Sequence, residues 1–198
     1  MIKSYFNHPA YNTYPVVGVT WEQANAFCNW LTVQDQEKAA AQGRPVYEYR
    51  LPTDQEFEYA ARGGKTQTKY PWGGPYMANA KGCLQANFKT GRGNYTDDNG
   101  MYTVDVKSYD PNDFGLYCMA GNVAEWTSTP YNKSATSLLL DFNPNFVSTG
   151  KGEKVVRGGS WKDIAFFLQN SVSTYEKQDK ARSYIGFRCV VDYAGPSS

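Results

Sequence analysis

The chain has one histidine, His8, among 198 residues. A single imidazole excludes the histidine clusters that hold mononuclear iron. None of the four cysteines, Cys28, Cys83, Cys118 and Cys189, forms a C-x-x-C pair, so a Cys/His zinc site has no donor set. An excess of one charge is also missing: 20 Lys and Arg face 19 Asp and Glu. That balance argues against nucleic acid and against an anionic membrane surface as partner. No apolar run reaches membrane-spanning length, and residues 1–15 lack the apolar stretch of a signal peptide. What the chain has in quantity is tyrosine, 16 residues, with 18 glycines and 5 tryptophans. Many Tyr and Gly with few long aliphatic runs predict short strands, many turns and a surface suited to contacts.

Two helices are legible. Thr20-Trp21-Glu22-Gln23 is a capping box, followed by Trp21, Ala24, Phe27, Cys28 and Leu31 at helical spacing. That helix runs to about residue 41 and ends at Gly43. Thr53-Asp54-Gln55-Glu56 opens a second, with Phe57, Ala60 and Ala61 as its buried face and Gly63-Gly64 as its stop. Short strands are expected at 102–107, 154–158 and 185–192. Residues 65–118 are rich in Gly, Asn, Asp, Tyr and Pro, too long a loop for a compact domain unless something orders it. The class is α+β in one domain. The even cysteine count fits disulfides in an oxidising compartment and equally fits four reduced, buried thiols.

Six blocks carry a resemblance. They are PVVGVTWEQANAFCNWL at 15–31, RLPTDQEFEYAARGG at 50–64, YPWG at 70–73, GLYCMAGNVAEWTS at 115–128, RGGSW at 157–161 and GFRC at 186–189. In this order they resemble the formylglycine-generating enzyme (sulfatase-modifying factor) family. The resemblance implies a C-type-lectin-like scaffold with little regular secondary structure, in a single domain over residues 1–198 that lacks the family's usual upstream strand-forming segment. Residues 7–30 and the run from Arg157 to Arg188 further resemble the gliding-motility lipoproteins of Bacteroidetes, components of type IX secretion. That likeness implies a periplasmic, outer-membrane-associated protein with a protein partner in an envelope assembly.

The resemblance also implies that the family's chemistry is missing. Members that oxidise a substrate cysteine carry two reactive cysteines after the GGS, to bind copper and exchange with substrate. Here those positions hold Asp163 and Leu168, and Ala124 stands where active members carry Trp. Ser160, with no histidine nearby in sequence, reads as structural. The expectation is a non-catalytic interaction module, with Ser160, Trp161, Lys162 and Asp163 as a candidate binding face. The alternatives are a formylglycine-generating-type oxidase acting on a protein cysteine and a lectin-like ligand-binding protein.

Carried over from the family, Asn87 and Asp98 would bind calcium through side chains, and Phe88 and Gly100 through carbonyls. Calcium takes such oxygens and orders long loops. The stretch is not an EF-hand, since Tyr95 and Val106 stand at its first and twelfth positions. An Asn/Asp/Gly turn cluster that needs no ion explains the same residues. The family's second calcium site maps to Cys118, Gly121, Val123 and Glu125, where a thiol is a poor ligand. The resemblance implies a Cys28–Cys189 disulfide between the first helix and the last strand. Cys83 and Cys118 are either a second bridge or two free thiols.

Overall fold

Thr20 sets the start of the first long helix. Its hydroxyl accepts from Gln23 N at 3.2 Å, while the Gln23 side chain accepts from Thr20 N at 2.9 Å. This reciprocal cap satisfies two otherwise orphaned donors. The helix, α1, spans Trp21–Gln42 and ends where Gly43 turns to φ +62 and returns its N–H to Ala39 O. The computed structural model describes residues 5–91, 100–132 and 152–192.

The buried stripe of α1 is Ala24, Cys28, Asp35 and Ala39. Phe27, expected on the same stripe, is 44% exposed and packs against Trp30 and Phe187. Adjacent helical residues point about 100° apart, so Phe27 and Cys28 cannot both face the core. Asp35 is buried and takes two bonds from Arg44 and one from Tyr47 N, which folds the chain back after α1. The Arg44 guanidinium, with Tyr47 N, holds the Asp35 carboxyl down at about 2.

Strand β1 is Tyr49–Arg50 and helix α2 is Asp54–Arg62, capped by Thr53 and Glu56 in the same reciprocal way. A four-stranded sheet follows: β2, Ala124–Pro130; β3, Glu153–Arg157; β4, Thr174–Lys177; and β5, Ile185–Gly186. Their order is β4-β3-β2-β5, with β2 antiparallel to β3 and parallel to β5. The last strand, β6, is Val190–Val191 and pairs antiparallel with β1.

The α+β class expected from the sequence is what the chain adopts. The strand expected at 154–158 is β3, and 185–192 resolves into β5 and β6 with Phe187–Cys189 between them. Residues 102–107 are not a strand. There the Asn122 side chain bonds Val104 N at 3.0 Å and Val104 O at 3.1 Å, so an amide replaces the neighbouring strand.

The main core packs Ala24 and Cys28 of α1 onto Leu51, Ala124, Trp126, Val156 and Ile185. Trp126 is fully buried and donates its indole N–H to Val19 O at 3.1 Å. Among the described residues, no helix is long and apolar enough to cross a membrane.

Candidate functional site

The centre of the molecule is the turn that leaves β3. Gly158 and Gly159 take φ +85 and +67, and a Cβ on Gly159 would stand 2.7 Å from Leu168 Cδ1. Only glycine gives this backbone and this approach without strain. The turn delivers Ser160, which is fully buried. Its hydroxyl donates to Asp163 Oδ2 at 2.6 Å and its backbone N–H donates to the same oxygen at 3.0 Å. Lys162 Nζ reaches the other oxygen at 2.9 Å and lies 4.1 Å from the Tyr184 ring centre. Asp163 therefore closes the turn upon itself.

Leu168 ends a single 3-10 turn, Ala165–Leu168, and is buried in a cluster with Tyr70, Ala86, Phe88 and Ala120. The two positions after the glycines are thus filled by a tied carboxylate and a core aliphatic. Of the candidate binding face, Ser160 drops out because it is buried. Trp161 meets Tyr102 edge to face at 5.1 Å, its indole N–H buried and without a partner among the described residues. Lys162 is the exposed member.

A buried arginine, Arg157, and a half-buried one, Arg188, tie together the elements around this turn. Arg157, at the end of β3, bonds Asp54 and Glu58 of α2 and the carbonyls of Asn170 and Val172. Arg188 grips Glu125 with both arms of its guanidinium, at 2.5 and 2.6 Å, and also donates to Tyr117 O. Such forked pairs combine charge with fixed geometry.

Glu125 was the strongest oxygen donor of the second cation set, and both its oxygens are taken. Cys118 of that set sits at φ +50 with its thiol donating to Val106 O at 3.3 Å. Burial pushes that thiol up to about 11, away from a metal-binding thiolate. Gly121 and Val123 are tightly packed. A Cβ on Gly121 would lie 2.5 Å from Asn87 O, and Val123 is buried with Tyr5 and Val17. The Glu125 carboxylate and the Cys118 thiol, as engaged here, do not fit a cation.

The first cation set reads differently. Asn87 is fully buried, and its Nδ2 donates to Tyr102 O at 2.6 Å. Its Oδ1 has no partner among the described residues. A buried oxygen left without a donor is costly, so it marks a place for a cation or an ordered water. Gly100 packs directly against this amide: a Cβ there would fall 2.9 Å from Asn87 Nδ2. Phe88 is buried beside it, and Asp98 lies outside the described residues. The Asn87 oxygen is of the hard kind that a cation such as calcium takes as one of its several ligands.

The sulfurs of Cys28 and Cys189 stand 3.2 Å apart, unbonded. Cys83 is exposed, and Cys118 is held by Val106 and Asn122. Sequence reasoning passed over Asn122. It sits at φ +66, donates its backbone N–H to Asn87 O at 2.8 Å and accepts from Trp161 N at 3.0 Å. It joins the glycine turn to the Asn87 amide. The signal was present as Gly121-Asn122, a left-handed pair of the residue types that tolerate it.

Comparison with known proteins gives the family and the type of fold. Residues 4–193 match the sulfatase-modifying factor enzyme 1-like domain. The formylglycine-generating enzyme of Mus musculus is 32% identical over 188 residues, covering 92% of this chain and 45% of that protein. The inactive C-alpha-formylglycine-generating enzyme 2 of Bos taurus is 32% identical over 182 residues, covering 89% of this chain and 50% of that protein. The chain thus spans about half the length of the curated relatives it matches. Among solved structures, PvdO from Pseudomonas aeruginosa superposes with a TM-score of 0.71 at 23% identity, over 91% of this chain and 63% of that one. That likeness establishes the formylglycine-generating-enzyme type of fold.

Proposed function

Because the chain belongs to the sulfatase-modifying factor enzyme 1-like family, which contains both active and inactive formylglycine-generating proteins, we propose that it is a non-catalytic interaction module. The observation that carries this reading is the closed Ser160–Asp163 pair beside buried Leu168. We take residues 163 and 168 as the places of the family's thiol pair. Copper(I) is held by soft thiolates. A carboxylate tied to a hydroxyl and a leucine do not fit it, and no electron-transfer step is available to them. The described residues hold no cluster of three or more His, Cys, Asp or Glu suited to a metal.

The Asn87 position is a separate matter. We propose that it holds calcium, with the Asn87 side chain as one ligand and, on the family pattern, Asp98, Phe88 and Gly100 as the others. Calcium would supply loop order there and no chemistry. The wording of residues 7–30 and 157–188 supports a place in the bacterial cell envelope, within an assembly of the kind served by gliding-motility and type IX secretion lipoproteins. The proximity of Cys28 and Cys189 supports a disulfide between α1 and the segment that leads into β6 in that oxidising compartment.

The test is oxidation of a cysteine-containing peptide with copper and oxygen supplied. The module reading expects no formylglycine product above the protein-free background. Turnover that depends on the protein would instead assign the oxidase alternative.

A further inference from the structure

Residues 102–106 run between two neighbours without forming a strand. On one side they are held by buried amides. Asn87 Nδ2 donates to Tyr102 O at 2.6 Å, and the Asn122 side chain spans Val104 N and Val104 O at 3.0 and 3.1 Å. On the other side they hold the N-terminal segment. Val106 N donates to Thr13 O at 2.9 Å, the Thr13 side chain hydrogen-bonds the Asp105 carboxyl, and Tyr5 OH meets Thr103 Oγ1 at 3.2 Å. Tyr5, Tyr11 and Tyr14 pack on one another and over buried Val17 and Val123.

The Asn87 amide is directional. The Tyr102 carbonyl only accepts, so it takes the NH2 end and leaves the oxygen end to face the cation position. A cation on that oxygen draws electron density from the amide and strengthens the donor at its other end. Ligation at Asn87 is thereby passed to Tyr102, along 102–106 and into residues 5–14. The chain beyond is anchored separately. Gly18 N donates to Arg182 O at 2.9 Å, and Val16 O lies so close to Gly186 that a Cβ there would stand 2.3 Å away. Residues 5–14 can therefore open while 16–18 stay in place.

We propose that a cation at Asn87 controls the docking of residues 5–14, with the Asn87 amide as the relay, an inference that rests on the calcium reading above. With calcium bound, the tyrosine segment is clamped against 102–106. Without it, the segment opens more often and uncovers Val17 and Val123, apolar surface that Tyr5 now covers. By linkage, anything that binds the uncovered surface weakens calcium binding by the factor by which calcium weakens it.

The experiment follows amide hydrogen exchange by NMR in calcium chloride and in EDTA. Two reporters are Tyr14 N, which donates to Tyr11 O, and Val106 N. Both should exchange at least about fivefold faster in EDTA, the low end of ordinary coupling between sites. Arg44 N, at the far end of α1, should not change. Asn87→Asp keeps an oxygen for the cation and loses the donor to Tyr102 O. It should bind calcium and still exchange as fast at Tyr14 and Val106 as the EDTA-treated chain, with circular dichroism checking its fold. Equal acceleration at Arg44, or full protection by calcium in Asn87→Asp, overturns the inference. If calcium binds and the two reporters do not respond, only this inference falls. If no calcium binds, the calcium reading falls and takes it along.

Discussion

Two places in this fold carry residues that the family resemblance marks for cations, and they have gone opposite ways. Around Glu125 every strong donor is engaged: the carboxylate by Arg188, the Cys118 thiol by Val106 O. Around Asn87 one buried oxygen is left over. The glycine turn at 158–163 resembles the first place, since its carboxylate is tied to the residue three positions before it. A retained residue type therefore says little about retained chemistry. What decides is whether its polar atoms are already satisfied from within the chain.

The largest effect should come from opening the closed place. Arg188→Met leaves Glu125 buried and unpaired, which costs about 3–5 kcal/mol. Thermal melting should fall by roughly 10 °C or more at neutral pH. A loss of only a degree or two would mean that Glu125 has another partner.

Next comes the open place. Saturating calcium at a hundredfold excess over its Kd adds about 2.7 kcal/mol. Chelation with EDTA should then lower melting by about 5–10 °C. Asn87→Ala should melt low with or without EDTA. An EDTA effect that persists in Asn87→Ala moves the cation elsewhere.

Ser160→Ala removes a hydroxyl from the Asp163 carboxylate and should cost about 1–2 kcal/mol, read by denaturant melting. No cost at all would show that the turn does not depend on this bond.

Acid should have the smallest effect, because Arg50 and Glu56 are largely exposed and Arg44, the partner of buried Asp35, is partly exposed. Arg50 holds the Glu56 carboxyl down at about 2, as Arg44 does for Asp35. Both are ordinarily protonated near 4, so in the folded chain they bind their protons later than in the unfolded one. Their contribution is complete above about pH 4.5 and is lost as pH falls towards 2. Melting should be flat from pH 7 to about 5 and decline below 4. Asp35→Asn should flatten part of that decline.

The sequence made some of this legible and hid the rest for physical reasons. Both helices were readable to within a residue, because Thr20/Gln23 and Thr53/Glu56 write their starts and Gly43 and Gly63 their stops in local chemistry. Strand β2 was not anticipated, since Ala124–Pro130 has no clean alternation and is held by neighbours distant in sequence. The false strand at 102–107 arose because a side-chain amide, not a strand, satisfies Val104. Asn87 and Gly100, grouped on the family pattern, do lie together. The engagement of Glu125 by Arg188 could not be read, because 63 residues separate them.

Calcium titration followed residue by residue in amide NMR spectra tests the contrast most directly. One equivalent should bind, with the largest shifts at Asn87, Gly100 and Tyr102 and none at Glu125 or Arg188. Shifts centred on Glu125, or saturation that leaves the Asn87 side-chain amide unmoved, would contradict it.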